Sequence, residues 1–158
     1  MRYLYYGLFV MVVYLFLTMA PLFALLVGSD IPGRGFWREL SMGLGFAGLS
    51  MMGLQFFLTG RFQWVTSPYG IDVVYHFHRA ISLLAFFFLL LHPAILLLSA
   101  PATLGLLNPV SAPEWITAGS IALFAFALIV MSSLYRRQLG LGYERWRMIH
   151  GYVAVAAV

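Results

Sequence analysis

The sequence predicts an all-α integral membrane protein built as a helical bundle. Two observations carry this: an extreme apolar composition, and a series of apolar runs of bilayer-spanning length separated by short polar loops. Of 158 residues, 63% are hydrophobic and only 9% charged, whereas an ordinary soluble domain carries about a quarter charged residues. The positive charge is entirely arginine, and the formal net of +4 is too sparse to form a nucleic-acid-binding stripe, which excludes that partner. With no cysteine, disulfides and thiolate metal or iron–sulfur sites are excluded as well. The partner implied by composition is the lipid bilayer.

Crossing the hydrocarbon core takes about 20 apolar residues, and the chain offers four such runs followed by a shorter one. The first, 3–28, is too long for the apolar region of a cleaved signal peptide and reads as a retained helix with a kink at Pro21. "SDIPGRGFWREL" (29–40) reads as a loop. In the second span, 41–60, Ser41/Gly45 and Gly43/Ala47 place small residues four apart, so a neighbouring helix can approach closely. "RFQWVTSPYG" (61–70) turns the chain into the third span, 72–99. "APATLGLLNPVSAP" (100–113), with three prolines, reads as a loop before the fourth span, 114–135. A basic connection, "RRQLGLGYERWR" (136–147), leads to a fifth run over 144–158.

Arginine distribution sets the orientation. With the N-terminus inside, the inner side holds Arg2, Arg61, Arg136, Arg137, Arg145 and Arg147, with Arg79 just within the third helix; the outer side holds only Arg34 and Arg38. A cytoplasmic N-terminus is expected, with spans three and five both running outward. Trp64, Trp115 and Trp146 fall near span ends, as interfacial anchors do.

Three of the four histidines lie in the third span, within "YHFHRAISLLAFFFLLLHPAILLL" (75–98). His78 and His92 are 14 residues apart, four helical turns less about 40°, so they project from nearly one face about 21 Å apart along the axis. His76 lies about 200° from His78, on the opposite face, and is set aside as a ligand. His150 lies near the inner end of span five, at a depth similar to that of His78. A pair of imidazoles at one depth on neighbouring helices suits the two axial positions of a b-type haem, with apolar residues such as Phe86, Phe87 and Phe88 as covering. The same histidines also suit interhelical hydrogen bonding or a proton path.

"SPYGIDVVYHFHRAISLLAFFFLLLHP" (67–93) resembles the third helix of the ferric-reductase-like transmembrane domain, shared by ferric reductases, NADPH oxidases and bacterial membrane flavocytochromes. In that helix a His-Arg pair is followed 14 residues on by a His-Pro pair. "YERWRMIHGYVAVAA" (143–157) is similar to the start of the family's fifth helix, where a Trp and a His precede an apolar run. The resemblance is good over about 60–150, and general in character over the first two helices.

The resemblance implies a six-helix domain, five spans of it within 1–158, with two stacked haems that pass electrons across the membrane. It implies His78 and His150 as ligands of an inner haem and His92 as one ligand of an outer haem. Arg79 and Arg147 are implied as cations for the haem propionates, beside the plain alternative that both follow the positive-inside rule. Pro93 removes the donor that would close onto the carbonyl of Leu89. A flavin module binding FAD and NAD(P)H is the expected electron donor, in cis or trans, and a bacterial inner membrane the expected location. Ferric chelate, oxygen, quinone and a partner protein are all open as acceptor.

Two other readings stand beside this one: a haem-binding subunit passing electrons between quinone and a partner enzyme, and a haem-free transporter or proton-conducting bundle whose histidines titrate. Only 11 residues follow Arg147, and no histidine follows His150 to pair with His92. The domain is therefore expected to continue beyond Val158, with a further histidine near 163 or 164 and a sixth helix.

Overall fold

The computed structural model describes residues 2–28, 33, 35–59, 70–108 and 110–158. Arg34, Arg61 and Trp64, and the side chain of Arg2, on which part of the orientation and anchoring argument rests, lie outside the described residues. Among the described residues the regular structure is helical throughout: α1 (Arg2–Gly28), α2 (Phe36–Thr59), α3 (Ile71–Ser99), a 3-10 helix (Pro101–Leu107), α4 (Glu114–Leu134) and α5 (Tyr143–Ala157). Four of these helices, α1 to α4, are long and apolar enough to cross a membrane. The chain is an all-α integral membrane protein.

The helix boundaries follow local chemistry. Gly35 and Gly70, at φ +94° and +79°, occupy the left-handed region that a Cβ disfavours. Each carbonyl receives the first bond of the helix that follows, from Glu39 N–H at 3.1 Å and Val74 N–H at 3.5 Å. Glu39, Asp72, Glu114 and Glu144 sit in the first turns of α2, α3, α4 and α5. Four of the five acidic residues thus complement the partial positive charge of a helix start. The second helix begins at Phe36 rather than Ser41, because the glycine turn, and not the charged pair Arg38 and Glu39, marks the start. Likewise the expected loop after α3 contains a 3-10 helix, entered through Pro101 at its first position.

The chain forms two compact units, Met1–Ile95 and Leu96–Val158. In the first, α1 packs against α2, and both contribute to the surroundings of α3. Gly43 meets Leu22 of α1: a Cβ there would lie 3.9 Å from Leu22 Cδ2, ordinary contact. Gly45 and Gly48 face α3 far more tightly. A Cβ on Gly48 would lie 2.9 Å from Leu89 Cγ and 3.1 Å from the Ala85 carbonyl oxygen. The expected small-residue packing is therefore present, with Ser41, Gly45 and Gly48 serving α3 and Gly43 serving α1. Ala47, Met51, Met52, Val74 and Ala85 are buried, while large apolar side chains such as Phe9, Phe16, Phe57 and Phe87 stand outward, as lipid-facing surfaces require.

In the second unit α4 packs against α5, with Phe126, Val130 and Ala157 buried. The connection is a turn over 135–142, and helix α5 takes in residues 143–147 of the expected basic loop.

Candidate functional site

In an apolar bundle, a polar side chain that faces inward must find a partner, because lipid offers none. Two buried polar residues of α2, Ser41 and Gln55, meet the histidines of α3 along the α2–α3 seam. His78 Nδ1 lies 2.8 Å from Gln55 Oε1. An amide oxygen only accepts, so Nδ1 carries the proton and Nε2 carries the lone pair. Gln55, only 5% exposed, in turn donates through its amide nitrogen to Tyr14 Oη of α1 at 3.4 Å. Tyr14 rests edge-on against Phe77, the residue before His78, with centroids 5.6 Å apart.

His92 is held in the same way by a different oxygen. Its Nδ1 lies 2.8 Å from the main-chain carbonyl of Ser41 and 3.0 Å from Ser41 Oγ. The Ser41 hydroxyl donates to the His92 carbonyl at 2.8 Å, so both oxygens are available to accept from Nδ1–H. Ser41 is completely buried. The imidazole lies against Gly45, where a Cβ would come within 3.0 Å of Nδ1 and 3.1 Å of Cγ. Again the lone pair falls on Nε2.

In the second unit, His150 Nδ1 lies 3.3 Å from Ser133 Oγ of α4. Ser133 spends its only proton on the Ile129 carbonyl at 2.6 Å, so the imidazole is the donor here too. The His150 ring lies against Trp146, one turn earlier on α5, at 5.0 Å between centroids. Trp146 is partly covered and its indole nitrogen is buried, beyond the interfacial anchoring expected of it. Trp115, by contrast, is 74% exposed, as an interfacial residue would be.

His76 stands apart. It shares a shallow concave patch on α3 with Asp72, Tyr75 and Arg79, spaced as one helical face, and among the described residues its ring makes no hydrogen bond. Arg79 thus sits on the face of His76 rather than on the seam. Arg147 pairs with Glu144 at 3.0 Å and lies over the Tyr143 ring at 5.9 Å. Arg136 lies over the rings of Tyr143 and Trp146, at 5.5 and 5.7 Å.

The three histidines singled out by spacing are therefore each anchored through Nδ1 by an oxygen of a neighbouring helix. A metal-bound imidazole commonly has this arrangement, with the second ring nitrogen fixed by a hydrogen bond. Among the described residues no cluster of three or more His, Asp or Glu side chains forms a metal site made by protein alone. Gln55, Tyr14 and Ser133 were missed by sequence reasoning, and Ser41 was noticed for its size rather than its oxygens. The available signal was an interval: Ser41 and Gln55 are 14 positions apart, as are His78 and His92.

No curated protein and no solved structure gives a significant match. A family model described as "Ferric reductase like transmembrane component" matches residues 44–158, from within α2 through α5. That is most of the chain, and it includes the greater part of the second helix, where the sequence resemblance is only general. The chain belongs to the ferric-reductase-like transmembrane component family and is a membrane electron-transfer component.

Proposed function

We propose that the chain carries single electrons across the membrane through b-type haem, with His78 and His150 as ligands toward the cytoplasmic face and His92 as a ligand toward the outer face. The observation that carries this reading is the shared anchoring: Nδ1 of each of the three imidazoles lies within hydrogen-bond distance of an oxygen on a neighbouring helix, an arrangement that favours the proton on Nδ1 and the lone pair on Nε2. Bound there, haem iron supplies a one-electron couple whose potential depends on its axial ligands and their hydrogen bonds.

The chain's own residues do the holding. Gln55, Ser41 and Ser133 orient the imidazoles, which avoids the cost of ordering a loose ring when a ligand arrives. Phe86 and Phe88 supply apolar covering along α3, and keep water from the path between the two histidines. Pro93 leaves the Leu89 carbonyl without its usual helical donor, so the backbone beside His92 can adjust. Arg79 and Arg147 offer cations for propionate carboxylates. The pairing of Arg147 with Glu144 is exposed, worth at most about 1 kcal/mol, and readily exchanged for another carboxylate.

Arginine bias places the N-terminus in the cytoplasm, and the electrons come from a flavin module that binds FAD and NAD(P)H. Absorption spectra of membranes containing the chain test the reading. A Soret band with reduced α bands is expected. Its absence from protein shown to be folded and inserted would overturn haem binding in favour of a haem-free bundle.

A further inference from the structure

The two histidines of α3 are matched, oxygen for nitrogen, by two residues of α2. His78 meets Gln55, and His92 meets Ser41. The pairing runs in opposite directions along the two helices at the same 14-residue interval, so α2 and α3 are antiparallel and in register over the whole distance between the histidines. Gly48, midway between Ser41 and Gln55, meets Ala85, midway between His92 and His78. A seam so close that a Cβ at its centre would force Leu89 to shift fixes both ends at once.

We propose that Gln55 and Ser41 are paired positioning residues: α2 sets the proton of both α3 imidazoles on Nδ1, so that each presents Nε2 in ligating form. The assignment of haem as the ligand rests on the function proposed above; the setting of the tautomer does not. Imidazole left to itself samples both neutral tautomers, and only one leaves Nε2 with a lone pair. In each pair the acceptor is an oxygen with no proton to give back, and that selects the tautomer before any ligand binds.

The two pairs differ in a way that separates them by mutation. At His78 the acceptor is a side chain, and it can be removed or made anionic. At His92 it is the main-chain carbonyl of Ser41, which survives Ser41→Ala. Gln55→Leu should therefore release the His78 tautomer, Gln55→Glu should hold it more strongly, and Ser41→Ala should leave the His92 tautomer unchanged. A stronger acceptor makes the imidazole a better donor to the iron and favours the oxidised state. The potential of the His78-linked haem should then fall in Gln55→Glu and rise in Gln55→Leu.

Two measurements on the full chain decide this. The first is the 15N spectrum of histidine-labelled protein produced under haem limitation. It should show His78 and His92 protonated at Nδ1 in the wild type and in Ser41→Ala, with His78 split between tautomers in Gln55→Leu. A wild-type His78 protonated at Nε2, with the Gln55 amide turned over, would overturn the proposal, as would a His78 tautomer that ignores Gln55→Leu. If Gln55→Leu does not fold, Gln55→Glu carries the second measurement alone.

The second measurement is a redox titration of haem-loaded protein. Opposite shifts in Glu and Leu variants are expected, each about tenfold in the oxidised-to-reduced binding ratio, or about 59 mV for one electron. An unchanged potential in Gln55→Glu, or shifts of one sign in both, would overturn it. Wild-type chain that takes up no haem would remove the function proposed above, while the 15N spectra would still decide the tautomer claim.

Discussion

His78 and His92 differ from His150 in the quality of their anchors. The α3 histidines bond at 2.8 Å to oxygens of residues that are 5% and 0% exposed. His150 bonds at 3.3 Å to a serine with an exposed side chain. In the first unit the anchor is held by glycines that let two backbones approach. In the second it is held by stacking, with Trp146 against the imidazole and Arg136 over Trp146. The contrast indicates that α3 is preorganised by helix packing, whereas α5 is oriented by its own aromatic side chains and can adjust when a ligand binds.

The largest effect expected from breaking this contrast comes at Gly48. Gly48→Leu drives side-chain atoms into Leu89 and the Ala85 carbonyl, so α2 separates from α3 and both α3 histidines lose their anchors. Nearly all haem absorbance should be lost, with His150 unable to compensate. Gly48→Ala should cost about 1–3 kcal/mol by overpacking, read as a lowered midpoint of thermal unfolding in detergent. An unchanged midpoint would show that the seam opens without cost.

Single-ligand variants sharpen the comparison next. His92→Ala should remove the outer haem alone and leave the spectrum of the inner haem in place. Retention of all haem in that variant would show His92 to be a packing residue. A smaller effect is expected at Ser133→Ala, because its bond to His150 is long, at 3.3 Å, and its side chain is exposed. Haem affinity, measured by titration, should fall only a few-fold, for a neutral hydrogen bond worth about 0.5–1.5 kcal/mol. A loss as large as that of Gln55→Leu would contradict the ranking of the two anchors. Smallest of all, Arg147→Gln should leave thermal stability within about 1 kcal/mol, since it breaks an exposed pair with Glu144 and a long contact over the Tyr143 ring.

Much of this arrangement was legible before the structure. Hydropathy and length located α1 to α4 because lipid imposes one strong requirement on every span. The histidine spacing separated His78 and His92 from His76 by helical angle alone, and the structure places His76 with Asp72 and Arg79, away from the seam. Small residues in α2 indicated close packing, yet they did not say which neighbour each would meet; Gly43 turned out to face α1 and Gly45 α3. Gln55 was not legible as a lone amide in an apolar run, because its meaning comes from a residue 23 positions away on another helix. The register that joins them depends on how two helices slide against each other. Arg79 is a different case: it adjoins His78 in sequence, but 100° of helical rotation puts its base on the face of His76, so its long side chain reaches a group held by His78 only by running around the helix.

The central claim is that the α2-facing side of α3 holds the haem ligands. Haem content per protein in His76→Ala and His78→Ala, measured side by side from reduced-minus-oxidised spectra, tests it most directly. Near wild-type haem in His76→Ala and loss of the inner haem in His78→Ala are expected. Equal loss in the two variants would contradict the account.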